Sequence, residues 1–242
     1  MRRFTDPSIL IFLLIMAYMA ISSGRFSSPV DWFMGVLLTL PGIVLGLALH
    51  EFAHAYSAYK LGDDTPRLQG RVTINPIAHM DPIGLICIIF IGFGWGKPVM
   101  INPMNFRYRR RDEIIVSLAG VATNFVLAIV LTIVYAIFIR TTGMFVMTTM
   151  GHTIQLMILY AIRINLVLMV FNLLPIPPLD GFSVLSELLR IKYTDIWYKL
   201  YQNGMWILMA LVLFGVVRTI INVTVNPMFN GLMRLASTLV LL

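Results

Sequence analysis

The chain has 242 residues, of which 59% are hydrophobic, and its formal net charge is +7. The mean hydropathy of +0.86 is far above that of soluble domains and indicates a polytopic membrane protein. A single cysteine excludes an internal disulfide framework and a CxxC metal site, and basic residues that cluster between apolar segments favour contact with lipid headgroups over nucleic-acid binding.

The first predicted helix covers residues 8–22, after the basic pair Arg2-Arg3. Small residues follow it, as they do at signal-peptide cleavage sites. Because further membrane segments come next, we interpret it as an uncleaved accessory helix. The second predicted helix, at 32–59, is long enough to span a bilayer. It carries the sequence His50-Glu51-Phe52-Ala53-His54.

This HEFAH sequence predicts half of a metal site. Residues i and i+4 of a helix share one face, so His50 and His54 can bind the same ion. Glu51 would then lie beside an activated water, where a carboxylate serves as general base in HExxH metalloproteases. Such a string also arises by chance. However, residues 41–49 carry no charge, and ionisable side chains in a membrane helix are usually functional.

Residues 67–105 are predicted to form a re-entrant segment with short β-strands. The apolar part, 83–93, has about a dozen residues, whereas a spanning helix needs roughly 20. Glycines at 84, 92, 94 and 96 also disfavour a stable helix. Irregular backbone at membrane depth requires protein or a water-filled cavity around it. An exposed strand edge there would accept an extended substrate segment.

Two further core helices are predicted, at 113–139 and 152–174. Each carries an asparagine within an apolar stretch, Asn124 and Asn172. The second of these helices ends in the sequence LPIPPLDG, whose prolines break the helix directly before Asp180.

Accessory helices are also expected at 205–221 and 227–242. The predicted fold is therefore an all-α polytopic membrane protein with about six transmembrane helices and a three-helix catalytic core. We expect residues 1–242 to form a single membrane-embedded domain. Most Lys and Arg residues fall on one side of this arrangement, so the positive-inside rule places the N-terminus and the metal motif toward the cytoplasm.

A catalytic zinc ion usually has three protein ligands and one open position. Among the acidic residues, only Glu51 and Asp180 lie within or at the end of a strongly apolar helical segment. Asp180 is therefore the best candidate for the third ligand. Two alternatives stay open: Asp-Gly pairs commonly form turns, which would make Asp180 purely structural, and His79 is a rival ligand in the re-entrant segment.

Together these sequences resemble the site-2 protease family of intramembrane metalloproteases. The resemblance covers about 41–182 and rests on HEFAH, NLLPIPPLDG and the connecting sequences GRVTINPIAHMDPIG and GWGKPVMINP. It implies one zinc ion per chain, bound by His50, His54 and Asp180, with Glu51 as the general base. It also implies that Asn124 and Asn172 contact the substrate backbone or the oxyanion. Interhelical hydrogen bonds are the alternative role for both asparagines.

The resemblance implies cleavage of single-span membrane proteins within or next to their transmembrane segments, as in regulated intramembrane proteolysis, in a bacterial cytoplasmic membrane. No stretch is long or polar enough for the PDZ or CBS domain that many relatives carry. A CAAX-type protease would need a glutamate ligand from deep within a later helix. The later glutamates are Glu113, at a helix entry, and Glu187, in an amphipathic connection, so this type is disfavoured. A zinc-binding or zinc-transport protein without protease activity is the other alternative. The lipid bilayer is an expected partner, nucleic acid is not, and homo-oligomer formation stays open.

Overall fold

A computed structural model describes residues 28–91 and 94–241, together with Leu14. The α-helices of these ranges are, in chain order, α1 (Pro29–Lys60), α2 (Thr65–Leu68), α3 (Pro76–His79), α4 (Pro82–Ile91), α5 (Arg109–Thr142), α6 (Thr149–Asn172), α7 (Asp180–Leu188), α8 (Asp195–Leu213) and α9 (Val216–Leu241). Short 3-10 helices, Pro103–Asn105 and Gly143–Met147, flank α5. Apart from Leu14, the helix predicted at 8–22 lies outside the described residues.

Three of the described helical segments are long and apolar enough to cross a membrane. They are Val30–Lys60, Arg109–Met147 and Thr149–Asn172, with mean hydropathies of 2.1, 2.5 and 2.1. Helices α8 and α9 meet the same criterion only together, as a pair bent by 71°. The described part of the chain thus has three spans, or four if the bent pair counts as one. This composition is that of an integral membrane protein, but a total of about six spans is not confirmed.

Helix α1 has a well-formed start and continues through the metal motif. The Ser28 hydroxyl accepts a hydrogen bond from the backbone N–H of Asp31, and Pro29 occupies the first turn, where no N–H is needed. Pro41 lies inside the helix without ending it. The HEFAH residues therefore sit on regular helix, as the i, i+4 argument requires.

Helices α1, α5 and α6 pack against one another as the core of the structure. A Cβ added at Gly42 of α1 would lie 2.7 Å from Cα of Ala161 on α6, so only glycine allows this close approach. Behind this contact, Ile162 and Leu166 of α6 are fully buried together with Val225 of α9. The bundle is therefore closed by small residues on one side and by branched apolar side chains on the other.

Between α1 and α5 the chain forms short helices in place of the predicted strands. Within 67–91 and 94–105 no strand is found, and the β-type pairing there is a single antiparallel bridge between Met80 and Gly96. The expected short strands are therefore not confirmed. Helix α4 has 10 residues, which is about half of a spanning length. Gly84 stays inside this helix, and its missing Cβ lets the carbonyl of Trp95 pack against it.

The last two described helices divide at a different place from the one predicted. The break lies at residues 214–215, inside the helix predicted for 205–221. Gly215 has a φ of +73°, the left-handed conformation that ends helices and that glycine adopts readily. Helix α9 then runs without interruption through Pro227, where a new helix was predicted to begin.

A buried carboxylate fixes the turn that follows α1. Asp63 is fully buried and accepts hydrogen bonds from N and Oγ1 of Thr65 (3.1 and 2.6 Å), from N of Asn102 (2.7 Å) and from Nδ2 of Asn105 (2.7 Å). Burial opposes ionisation, but these hydrogen bonds outweigh it and lower the pKa of Asp63 below its ordinary value. Asp63 thereby ties the end of α1 to the turn that precedes α5.

Replacement of this carboxylate should lower stability in a pH-dependent way. Asp63→Asn should reduce the free energy of unfolding at pH 7 by about 1–3 kcal/mol, because a charged acceptor with several donors is lost. The folded-state pKa is lowered, so the contribution is complete above the ordinary pKa and disappears as the pH falls. The difference from wild type should therefore shrink below about pH 4.

Denaturant unfolding in detergent at neutral and acidic pH measures this effect. Asp64→Asn is the matched control, since the Asp64 side chain is 64% exposed. Equal stability of Asp63→Asn and wild type at pH 7 would contradict the assigned role.

Candidate metal centre

Three potential metal-ligating atoms meet where α1 contacts the start of α7. The Nε2 atoms of His50 and His54 are 3.0 Å apart, and they lie 3.2 and 3.3 Å from Oδ2 of Asp180. Ligands bound tetrahedrally at about 2.0–2.1 Å from a zinc ion are separated by about 3.3–3.4 Å. The three atoms therefore have nearly the mutual spacing of ligands that share one zinc ion.

The hydrogen bonding of the histidines also fits a cation. Nδ1 of His54 lies 2.7 Å from the backbone carbonyl oxygen of Val116, so it donates its proton there. In the neutral ring, Nε2 then presents a lone pair toward both the Asp180 oxygen and the second imidazole. Lone pairs facing one another in a site where His50 and His54 are only 4% and 7% exposed repel unless a positive charge lies between them. Two histidines and one carboxylate are an ordinary ligand set for catalytic zinc.

Asp180 reaches the site because the chain turns sharply after α6. Asp180 is the first residue of α7, and the following Gly181 packs where a Cβ would lie 2.2 Å from the carbonyl oxygen of Leu173. Oδ2 of Asp180 accepts no hydrogen bond from the described residues, so its lone pairs are not already engaged. Asp180 is therefore available as an anionic ligand.

Ion pairs fix the other end of α7 against α5. Glu113 and Glu187 are both buried, and the ammonium group of Lys192 contacts both carboxylates. Arg110 adds a hydrogen bond to the backbone oxygen of Glu187. Because α7 is held at its far end, the position of Asp180 at its near end depends on the packing of α7 against α5.

Helix α5 packs against the two histidines at Gly120. A Cβ at Gly120 would lie 2.5 Å from Nε2 of His54 and 2.7 Å from Nδ1 and Cε1 of His50. No side chain fits there unless both imidazoles move. One turn earlier on the same helix, Val116 supplies the carbonyl that accepts the His54 proton.

Glu51 is oriented by the segment between α4 and α5. The backbone N–H of Val99 donates to Oε2 of Glu51 at 3.1 Å. The segment is held in place by the hydrogen bond from N of Lys97 to O of His79 (2.7 Å) and by the Arg71 guanidinium, which donates to the carbonyl oxygens of Ala78 and Lys97. The predicted re-entrant segment thus places backbone beside the predicted general base.

The other predicted site residues lie apart from the three ligating atoms. His79 is fully buried, with Nε2 2.7 Å from the carbonyl oxygen of Thr73, and it does not join the cluster of potential ligands found in the described residues. Asn172 lies at the end of α6, partly buried, and its Nδ2 donates to the carbonyl oxygen of Leu168 on its own helix. Asn124 is fully buried on α5, one turn after Gly120.

Sequence reasoning did not assign Val99, Val116 or Gly120 to the site. The first two act through backbone atoms, which leave no signature in the side-chain pattern. Gly120 begins the sequence Gly120-Val121-Ala122-Thr123-Asn124, whose small residues by themselves indicate only close helix packing. Its second role, contact with the histidines, depends on the register between α1 and α5.

This constellation defines a class of protein. Two histidines one helical turn apart, an aspartate from a later segment and a glutamate next to the first histidine converge among apolar helices long enough to span a membrane. Such a site is that of a membrane-embedded, metal-dependent hydrolase.

The family is established by sequence comparison. The model of Peptidase family M50 matches residues 38–216, most of the chain, and the protein therefore belongs to this family, the site-2 proteases. It is a zinc metalloprotease of the site-2 type. No solved structure matches the chain.

Curated relatives agree with this assignment. The Bacillus subtilis (strain 168) protein named "Putative zinc metalloprotease YwhC" is 40% identical over 157 residues, which cover 63% of this chain and 71% of that protein. The protein named "Putative zinc metalloprotease Rip2" from Mycolicibacterium smegmatis is 32% identical over 187 residues, covering 73% and 69% of the two chains. Rip2 from Mycobacterium tuberculosis (strain ATCC 25618 / H37Rv) is 28% identical over 175 residues, covering 69% and 63%.

The close contact at Gly120 generates a direct test of the site. Gly120→Ala should weaken zinc binding at least about tenfold, because the new Cβ displaces both imidazoles from their common position. Competition with a chromogenic chelator, using purified protein in detergent, measures the affinity. Gly35→Ala is the control, since a Cβ at Gly35 would have no heavy atom within 4 Å. Unchanged zinc affinity in Gly120→Ala would show that the histidines do not bind metal in this arrangement.

Proposed function

We propose that the protein hydrolyses peptide bonds within or next to the transmembrane segments of single-span membrane proteins. The location of the site supports this proposal. His50, Glu51 and His54 lie inside the span Val30–Lys60, and Gly120 lies inside the span Arg109–Met147. A peptide bond that reaches these groups must itself enter the apolar bundle, which favours a membrane segment as substrate.

In this proposal His50, His54 and Asp180 hold one zinc ion. Bound zinc supplies Lewis acidity, which polarises the scissile carbonyl and makes water a nucleophile at neutral pH. Glu51 acts as general base toward that water and then as general acid toward the leaving amine. The hydrogen bond from Val99 holds Oε2 of Glu51. The structure shows no hydrogen bond to Oε1 from the described residues, so Oε1 is the oxygen that we assign to proton transfer.

The substrate must be unwound locally, because the backbone of a helix is occupied by its own hydrogen bonds. We infer that residues 95–101 hold the unwound segment, since this stretch is not helical, forms the antiparallel bridge of Gly96 with Met80, and lies beside Glu51. An extended substrate can add to such backbone through main-chain hydrogen bonds. Asn172 is accessible enough to contact the substrate or the oxyanion, whereas full burial of Asn124 disfavours that role in this conformation.

We also propose that the protein crosses a bacterial cytoplasmic membrane several times, with the site toward the cytoplasm. Asp63 holds the end of α1 close to the start of α5. The basic residues of both ends, Lys60 and the cluster Arg107, Arg109, Arg110 and Arg111, therefore lie on one side. The positive-inside rule makes that side cytoplasmic. Labelling of a cysteine introduced at Asp64 only from the outer face of intact cells would contradict this orientation.

Removal of the general base should separate chemistry from metal binding. Glu51→Gln should bind zinc as wild type does but cleave a single-span membrane peptide about 10²–10⁴-fold more slowly, because the amide cannot accept the proton of the attacking water. Cleavage by purified protein in detergent, with bound zinc counted in the same samples, measures both properties. Asp64→Asn, a change from carboxylate to amide outside the site, should cleave like wild type.

Two results would contradict the proposal. Cleavage by Glu51→Gln at the wild-type rate would remove Glu51 from the mechanism. Zinc-loaded wild-type protein that moves zinc across liposome membranes, without cutting any of a panel of membrane peptides, would instead support the zinc-transport alternative.

A further inference from the structure

Four buried polar atoms near the histidines lack a hydrogen-bond partner among the described residues. They are Nδ1 of His50, Oδ1 and Nδ2 of Asn124, and Oδ1 of Asn165. Asn124 and Asn165 are 0% exposed. An unpaired amide in such surroundings is costly, so buried polar groups in proteins are nearly always satisfied. Two further atoms of this kind are Nδ1 of His79 and Oδ2 of Asp180, which is itself one of the three potential metal ligands.

The four atoms are complementary hydrogen-bond donors and acceptors. With Nε2 of His50 directed at the other two ligands, the ring carries its proton on Nδ1, which is then a donor. The amide nitrogen of Asn124 is a second donor, and the amide oxygens of Asn124 and Asn165 are two acceptors. Asn165 already uses its nitrogen, which donates to the carbonyl oxygen of Ala161 at 2.8 Å. The set thus consists of two donors and two acceptors.

The register of α1 and α5 brings Asn124 to His50. The two helices run antiparallel here, since His54 contacts Val116 while both histidines contact the position of Gly120. Asn124 is one turn further along α5, about 6 Å along the axis. Side chains on a helix lean toward its N-terminus, so we expect the Asn124 amide to lean back toward Gly120. Nδ1 of His50 lies 2.7 Å from the place where a Gly120 Cβ would be.

Asn165, on α6, lies beside the turn of α1 that precedes His50. Its Oδ1 lies 2.8 Å from the position that a Cβ of Gly46 would occupy. Gly46 is one turn before His50 on α1, and in the antiparallel register that turn faces Asn124. The two glycines, Gly46 and Gly120, therefore leave space for polar side chains between the three core helices.

From this juxtaposition we propose that Asn124 is a positioning residue for the metal site. Its amide oxygen accepts a hydrogen bond from Nδ1 of His50, and its amide nitrogen donates to Oδ1 of Asn165. A small rotation of the amide or one buried water closes these contacts. Histidines that bind metals generally donate their other ring N–H to an acceptor, which orients the ring and raises its basicity. Val116 does this for His54, and Asn124 would do it for His50.

This inference rests on the proposed metal site, and zinc affinity tests it without reference to proteolysis. Asn124→Leu, which keeps the number of side-chain heavy atoms but removes the acceptor, should bind zinc about 10–100-fold more weakly than wild type in a chelator competition. Asn124→Asp, which keeps an acceptor oxygen, should stay within about threefold of wild type. Thr132→Val is the control, because Thr132 is equally buried two turns further along α5 and should leave the affinity unchanged.

The outcomes separate this inference from the metal site itself. Equal affinity of Asn124→Leu and wild type would overturn the inference, and so would equal loss in Asn124→Leu and Asn124→Asp, which indicates a packing role. Failure of the wild-type protein to bind zinc would instead refute the metal site.

A measurement on the unmodified protein covers the case in which Asn124→Leu does not fold. The chain has four histidines, and ¹⁵N-labelled imidazoles distinguish Nδ1–H from Nε2–H. In the zinc-loaded protein, two Nδ1–H protons should be protected from exchange, one on His54 and one on His50. His79 is bonded through Nε2, and His152 is exposed. A single protected Nδ1–H proton would overturn the inference.

Discussion

The structure depends on one constraint, that two imidazoles and a carboxylate must meet around a single position inside an apolar bundle. The three ligating atoms lie 3.0–3.3 Å from one another although they come from segments about 130 residues apart in the chain. Imidazole nitrogens and a carboxylate oxygen that direct lone pairs at one another in a site with little exposure to water repel unless a cation lies between them. Metal binding is therefore coupled to the position of α7 relative to α1.

Small residues make this meeting geometrically possible. Gly42 allows α1 to approach α6, Gly46 and Gly120 leave space on either side of His50, and Gly181 lets the chain turn into α7. In a membrane the hydrophobic effect does not drive helices together, so close packing and buried hydrogen bonds carry more of the stability. The same glycines thus serve association of the helices and access of polar groups to the metal ligands.

The main helices and the metal motif are predictable from the sequence because they follow from local patterns. The length of the apolar stretches predicts the spans. The i, i+4 spacing predicts that His50 and His54 share one metal ion, and the proline-rich helix break directly precedes Asp180. Helix α4 was not predicted, because a glycine that opposes a helix in isolation is tolerated where another backbone packs against it, as Trp95 does at Gly84. The roles of Gly120 and Asn124 depend on the register between two helices, which no local pattern encodes.

X-ray absorption at the zinc edge, on purified protein in detergent, tests the central claim most directly. We predict a first shell of nitrogen and oxygen atoms at about 2.0–2.2 Å, with the outer-shell scattering of two imidazole rings. Sulfur at about 2.3 Å would place the ion at Cys87 or a methionine instead. That result, or a failure of the protein to bind zinc at all, would contradict the assignment of the site to His50, His54 and Asp180.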